Sequence, residues 1–243
     1  MPRKRNRTRS DKPSPLALLA GALAASVAFF LCPSCSQSSP TINAVTLQAL
    51  MAETDPDSFE PRLSVFVFWD DGDGARDFSS IRVVSDDTSL KWTIDASNAA
   101  VRLRGKDRWV GSSLLAPPLG EAIPAGSYTV TVTDLAGNEA TRPVTLPAVA
   151  FPERSPARLR VSADQWTLER NSQNGDFTRV FFLLEDDDGK ALYSWRVPDN
   201  RSTVTTGTVA QLKAMARNAT RVRCYVENGS GTAGVLLSPV EME

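Results

Sequence analysis

Two acidic turns carry the residue types that most resemble a metal site. They read DDGDG at 70–74 and EDDDG at 185–189, and carboxylate oxygens are the ligands that Ca²⁺ prefers. Aligned on its final glycine, neither turn has an acidic residue at position 1 or 12 of an EF-hand loop, so that motif is excluded. A turn joining two strands is the simpler interpretation. We expect no metal or cofactor, and the calcium candidates that remain are Asp71, Asp73, Asp186 and Asp188.

The chain has no histidine, which excludes several kinds of active site. Serine triads, Cys–His dyads and zinc sites with imidazole ligands all need that residue. No P-loop or GxSxG motif is present either. Paired carboxylates could hydrolyse glycosides, but nothing in the sequence places such a pair in a cleft. We therefore expect no enzyme, and an extracytoplasmic hydrolase using paired carboxylates is the alternative.

A locally basic stretch, RLRGKDRWV at 102–110, stands out in an otherwise acidic body. It could contact an anionic glycan or a lipid headgroup, through a tryptophan that stacks and cations that neutralise charge. A solvated edge strand that carries Lys and Arg against aggregation explains it equally well. The candidate contact residues are Trp109, Arg102, Arg104, Lys106 and Arg108.

The net charge of −1 hides an asymmetry along the chain. Residues 1–34 hold six basic groups and one acid, and the rest holds 21 basic and 27 acidic groups, a net of −6. Nucleic-acid binding depends on Lys and Arg that neutralise phosphates. An acidic body of this kind predicts no nucleic-acid partner.

The first 35 residues have the layout of an export signal. A basic leader over 1–15 precedes an uncharged apolar run of 16 residues, LALLAGALAASVAFFL at 16–31, the order found in secretory signals. The run is shorter than the ~20 residues of a typical membrane-spanning helix. The basic flank predicts that the remaining chain is sent across the membrane.

The segment Leu31-Cys32-Pro33-Ser34-Cys35 resembles the lipidation signal of bacterial lipoproteins, in the looser form seen in spirochaetes. The match departs from the usual pattern, because Leu31 is four places before Cys35 and Cys32 stands in its place. The resemblance implies cleavage before Cys35, acylation there with chains such as palmitate, and a lipid-anchored place in the bacterial cell envelope. An uncleaved signal anchor and an ordinary cleaved signal are the alternatives. If Cys35 is acylated, Cys224 is the sole remaining cysteine and is expected to be a buried apolar residue.

The body alternates apolar and polar residues with a period of two, which predicts an all-β fold. The strands fall at 41–47, 62–69, 81–84, 128–133, 141–146, 158–161, 179–184, 191–197, 221–227 and 234–239. Thr208 is expected to cap a short helix over 209–217. The segment FPERSP, which contains two prolines, predicts a stiff linker.

An internal repeat suggests duplication. At an offset of 115 residues, 65–74 and 180–189 share five of ten positions, including the acidic turn. The strand pattern resembles immunoglobulin-like or fibronectin type III-like domains of bacterial surface proteins, although the paired cysteines of true immunoglobulin domains are missing. The resemblance implies two tandem antiparallel β-sandwiches. The predicted organisation is a signal segment at 1–35, a tether at 36–40, a first sandwich at 41–149, a linker at 150–156 and a second sandwich at 157–243.

Together these features predict a non-catalytic, membrane-anchored envelope protein that binds or scaffolds through sheet edges or loops. Its expected partners are the membrane, through the lipid anchor, and an envelope protein or peptidoglycan. A single-pass, signal-anchored subunit of an envelope complex is the remaining alternative.

Overall fold

The computed structural model describes residues 38–55, 58–74, 76–118, 121–171, 175–199 and 202–242. The signal segment, with Cys32 and Cys35, lies outside them. In the described part the fold is all-β with a single short helix, as the alternating pattern predicts. The strands are β1 Thr41–Asp55, β2 Ser58–Asp70, β3 Phe78–Ser85, β4 Lys91–Asp95, β5 Ala100–Arg104, β6 Asp107–Leu115, β7 Gly126–Asp134, β8 Glu139–Leu146, β9 Ala157–Ser162, β10 Gln165–Arg170, β11 Phe177–Glu185, β12 Ala191–Arg196, β13 Val204–Thr208, β14 Arg221–Asn228 and β15 Ala233–Glu241.

The helix, α1, spans Val209–Met215 and ends two residues before the prediction. Thr208 caps it as expected: its Oγ1 accepts the amide hydrogen of Gln211, and the Gln211 side chain accepts that of Thr208. Such a reciprocal capping box satisfies two amide groups that would otherwise have no partner. Val209 and Leu212 face the core, which fixes the helix against the second half of the chain.

The strands of the described residues form three sheets. Their strand orders are β12-β11-β14-β15-β1-β2-β6-β5, β13-β10-β9 and β4-β3-β7-β8. The long sheet packs against one short sheet at each end, which leaves two hydrophobic cores. One core combines β1, β2 and β6 with β3, β4, β7 and β8, and the other combines β9, β10, β11, α1, β14 and β15.

The buried residues of each core come from one of the two predicted segments, 41–149 and 157–243. The long sheet, by contrast, contains strands from both segments. Residues 147–156 contain no strand, and Phe151 in this connection packs against both cores. Met51 and Phe59, from the first segment, pack against the second core. The domain boundaries at 41–149 and 157–243 therefore stay a prediction, and the segment at 150–156 is a packed connection.

The seam between the halves is the parallel pairing of β1 with β15, which the antiparallel prediction did not include. Residues Ala49 to Ala52 pair with Ala233 to Leu236. Polar side chains reinforce the pairing, since Gln48 Nε2 donates to Glu227 Oε1 at 2.8 Å and the Ser238 amide donates to Glu53 Oε2 at 2.8 Å. Because strands in register share their backbone hydrogen bonds, the seam makes one continuous eight-stranded sheet.

The strand order reveals which parts of the halves are equivalent. In immunoglobulin-like sandwiches strands A, B, E and D form one sheet and C, F and G, with C′ when present, the other. The first half gives A-B-E-D as β1-β2-β6-β5 and C′-C-F-G as β4-β3-β7-β8, and the second half gives A-B-E as β9-β10-β13 and C′-C-F-G as β12-β11-β14-β15. The repeat at offset 115 is therefore wrong as a structural equivalence, because it aligns strand B (β2) with strand C (β11).

The equivalent acidic turns lie instead at an offset of 100 residues. Asp86-Asp87 follows β3, and Asp186-Asp187 follows β11, so each pair lies in a C–C′ hairpin. Residues 71–77 join β2 to β3 and so pass from one sheet to the other. The fully buried Tyr128 lies near the start of strand F (β7), and its hydroxyl donates to the Pro124 carbonyl at 2.7 Å, which is the tyrosine-corner contact of such sandwiches.

The packing of β14 on β15 beside the seam can be tested at Gly234, which pairs with Leu50 of β1. A Cβ atom at this position would lie 2.1 Å from Cε2 of Tyr225, so the ring must move. We expect Gly234→Ala to lower the free energy of unfolding by about 1–3 kcal/mol, the usual cost of overpacking. Urea unfolding followed by tryptophan fluorescence measures it.

The matched control is a double-mutant cycle with Tyr225→Leu. The shorter side chain leaves room for the alanine, so the double variant should lose less stability than the sum of the two single variants. Strictly additive losses would contradict the contact.

Candidate functional site

The loop between β2 and β3 gathers carboxylates around a buried aspartate. Asp71 is 7% exposed, and its Oδ1 accepts hydrogen bonds from the Asp73 amide at 2.9 Å and from Ser38 Oγ at 2.6 Å. Asp73 Oδ2 accepts the Ser38 amide at 2.8 Å. Ser38, within the segment predicted to be a short tether at 36–40, is therefore attached to this loop.

Asp77 completes the cluster, although the sequence analysis did not select it. One carboxylate oxygen from each of Asp71, Asp73 and Asp77 lies within 4.8 Å of the others. Burial raises the pKa of Asp77, and the neighbouring carboxylates of Asp134, Asp71 and Asp73 raise it further. The signal that could have found Asp77 is its place at the far end of the same loop, just before strand β3.

Asp134 lies beside the cluster, but its carboxylate is hydrogen-bonded to Asn138. Its Oδ1 accepts the Asn138 amide hydrogen and its Oδ2 accepts from the Asn138 side chain, both at 2.8 Å. Burial acts to raise the pKa of Asp134, but these hydrogen bonds outweigh it and lower the pKa. Asp134 therefore stays a hydrogen-bonded carboxylate that closes the β7–β8 turn.

The second acidic turn, between β11 and β12, has a different environment. Arg221 donates to the carbonyl oxygens of Asp186 and Asp187 at 2.9 and 2.8 Å. Asp186 Oδ1 accepts the Lys190 amide at 2.9 Å, and Asp188 is exposed. The Arg221 guanidinium thus binds the backbone of this turn. Among the described residues, Asp186 and Asp188 belong to no group of three neighbouring carboxylates.

The basic stretch forms a hairpin at one edge of the long sheet, and not the single edge strand that the sequence suggests. Strands β5 and β6 pair from Ala100–Gly111 to Arg104–Asp107. Trp109 is buried, with its ring 5.8 Å from that of Phe68, and the Arg104 guanidinium lies 4.7 Å from the centre of the indole. The Trp109 ring is therefore covered by the protein's own side chains.

Arg102 is also used within the fold. Its guanidinium stacks on the Phe66 ring at 3.7 Å, a cation–π contact. Burial lowers the pKa of Arg102 to about 10, while the side chains of Tyr225 and Glu227, across the seam, act to raise it. Of the predicted contact residues, Lys106 is exposed at the hairpin turn and Arg108 is half-buried, and a ligand for them stays a prediction.

Cys224 has the environment expected for a buried apolar residue. It is fully buried in the second core, and burial raises the pKa of its thiol to about 12. A thiol of this kind is a poor nucleophile. In the part of the chain that the structure describes, no helix is long and apolar enough to cross a membrane; the apolar run at 16–31 lies outside that part.

The strand orders and cores define an all-β protein built from immunoglobulin-like sandwiches. No protein-family model matches the chain, and no curated protein sequence does. Several solved structures, among them the three below, resemble it at low similarity, which carries no argument about function.

The first is Tp47, the 47-kilodalton lipoprotein of Treponema pallidum, with 11% identity and a TM-score of 0.38 over 83% of this chain and 50% of that one. The second is dimeric latent PorU from Porphyromonas gingivalis, with 15% identity and a TM-score of 0.28 over 82% and 20%. The third is the segment of domains A168-A170 from titin, with 16% identity and a TM-score of 0.23 over 84% and 66%. The match thus spans half of Tp47 and a fifth of PorU.

The role of Arg221 in the second turn can be tested directly. Arg221→Met should lower the free energy of unfolding by about 1–2 kcal/mol, because two carbonyl oxygens lose a charged donor. Arg196→Met is the control, since it removes the same charge from an exposed position of the neighbouring strand β12. Equal stabilities of the two variants in urea would show that Arg221 does not hold the turn.

Proposed function

We propose that this chain is a non-catalytic, membrane-anchored envelope protein in which a rigid pair of sandwiches binds or scaffolds other envelope components. The anchor is an acylated Cys35. The observation that carries the proposal is the attachment of Ser38 to Asp71 and Asp73, with hydrogen bonds of 2.6–2.8 Å. This attachment leaves two residues, Ser36 and Gln37, between the anchor and the folded body.

So short a connection sets the orientation of the protein. The three residue-to-residue steps from Cys35 to Ser38 span at most about 10 Å, so the Ser38 end of the first sandwich lies close to the lipid surface. From Thr41, β1 runs about 27 Å at ~3.4 Å per residue before it reaches the seam at Ala49. The second sandwich is then presented away from the membrane, with the seam holding it in a fixed relation to the first.

The β5–β6 hairpin turn lies at the same end of the sheet as Ser38. Thr41 pairs with Asp70, and Phe68 pairs with Trp109. The hairpin turn comes just before Asp107, which precedes Trp109 by two residues in the chain. The exposed Lys106 in that turn would face the headgroups. Anionic lipids attract cations that lie within a Debye length of the surface, but they repel the carboxylates of Asp71 and Asp73 beside Ser38. The proposed orientation therefore rests on the short connection to the anchor and not on charge.

The edges of the long sheet supply surfaces for a partner. Strand β5 ends one edge and strand β12 the other. Leu103 on β5 is 74% exposed, and Leu192 and Tyr193 on β12 are 40% and 47% exposed. An extended peptide can add to such an edge through main-chain hydrogen bonds, with apolar side chains giving selectivity. An envelope protein is the partner that fits this mode of recognition best.

Intact-mass analysis of the N-terminal peptide from membrane-extracted protein tests the anchor. We expect the mature chain to start at Cys35 with added acyl mass, and Cys35→Ala to lose both the acyl mass and the membrane fraction. Cys32→Ala is the matched control and should be processed normally. A mature chain that still carries residues 16–31 would favour a signal-anchored subunit.

A fluorescent label tests the orientation in the anchored protein. A lipid-sensitive dye on Lys106→Cys should report contact with vesicles that contain phosphatidylglycerol. The same dye on Thr88→Cys, in the turn at the opposite end of the first sandwich, should report water. Cys224 does not compete for the dye because it is fully buried. Equal signals at both positions would contradict the orientation.

A further inference from the structure

The carboxylates of the β2–β3 loop have the spacing of a single cation site. One oxygen each from Asp71, Asp73 and Asp77 lies within 4.8 Å of the others. This limit is twice a Ca²⁺–oxygen distance of about 2.4 Å, so one ion can bridge any two of these oxygens and lies near the third. The three side chains come from the loop that connects β2 in one sheet of the first sandwich to β3 in the other.

A second observation at Asp71 points to a ligand independently. Its side chain is more than nine-tenths buried, and its Oδ2 has no hydrogen-bond partner. The same carboxylate faces Asp73 and Asp77. A buried charged oxygen without a partner is costly, and a bound cation would supply the missing interaction.

Protein cations do not supply it. Among the described residues, no Lys or Arg forms an ion pair with Asp71, Asp73 or Asp77. The turn between β11 and β12 shows the other solution, since Arg221 donates there to the carbonyl oxygens of Asp186 and Asp187. The two acidic turns therefore differ in whether the fold provides its own positive charge.

We propose that Asp71, Asp73 and Asp77 bind one Ca²⁺ ion, with water completing its coordination. Ca²⁺ fits better than Mg²⁺, because it accepts an irregular set of oxygens whereas Mg²⁺ requires near-ideal octahedral geometry. Extracellular modules bind Ca²⁺ with dissociation constants of about 0.1–1 mM, and three carboxylates in a partly open loop belong in that range.

The position of the site gives the ion a structural consequence. Asp71 and Asp73 also accept the hydrogen bonds that hold Ser38, so an ion between them stiffens the point where the chain enters the folded body. The inference concerns the loop itself and does not depend on acylation of Cys35. Calcium binding by a protein that lacks a lipid anchor would leave the site intact and overturn only the proposed function.

Calorimetric titration of the detergent-solubilised full-length chain with CaCl₂ tests the site. We expect one Ca²⁺ per chain with a dissociation constant of about 0.1–1 mM, binding of MgCl₂ at least tenfold weaker, and a Tm higher by about 3–5 °C at ten times the dissociation constant than in EDTA. No heat of binding and no change in Tm, or equal responses to both ions, would overturn the proposal.

Matched substitutions locate the ion. Asp73→Asn should weaken Ca²⁺ binding at least tenfold, whereas Asp188→Asn, an equally exposed position in the second acidic turn, should leave it unchanged. Asp77→Asn provides a second test at the cluster if Asp73→Asn fails to fold, which far-UV circular dichroism would show. Equal binding by the cluster variants and Asp188→Asn would place any bound ion elsewhere.

Discussion

The parallel pairing of β1 with β15 is the constraint on which the rest of the structure depends. It joins strand A of the first sandwich to strand G of the second over Ala49 to Ala52, and it converts two four-stranded sheets into one. Gly234 is required beside it because the Tyr225 ring occupies the space of a side chain. Arg102 stacks on Phe66, and its pKa responds to Glu227 on the other side of the seam. Arg102 and Arg104 of the edge hairpin therefore pack on aromatic rings of the long sheet, Phe66 and Trp109.

The seam also explains why the halves carry different local chemistry. Each half supplies one sheet to the shared surface, but the first supplies its A-B-E-D sheet and the second its C′-C-F-G sheet. The loop after strand B of the first half lies next to the entry of the chain at Ser38, whereas the turn after strand C of the second half lies against Arg221. Similar acidic sequences thus meet a serine in one place and a guanidinium in the other.

For the proposed function, rigidity is the useful property. A flexible linker would let the second sandwich move independently of the membrane, but Phe151 in the connection packs against both cores and the seam adds backbone hydrogen bonds. A body fixed at Ser38 and extended along β1 holds its sheet edges at a defined height and direction. Recognition by edge strands benefits from this arrangement, because less freedom has to be lost when a partner binds.

The sequence by itself determined the all-β class, most of the strands, the capped helix after Thr208 and the buried state of Cys224, because each depends on local periodicity or on one side chain's preference. It also gave two of the three carboxylates at the first acidic turn. Only the tertiary structure decided that Asp77 joins them, that Arg221 lies at the other turn and that Trp109 is covered by Arg104. The repeat at an offset of 115 residues likewise predicted the wrong pair of equivalent strands. Apolar strands followed by acidic turns occur at different positions of a sandwich, so their sequences alone do not identify the equivalent strand. These features depend on contacts between residues far apart in the chain, and such contacts leave no periodic signal in the sequence.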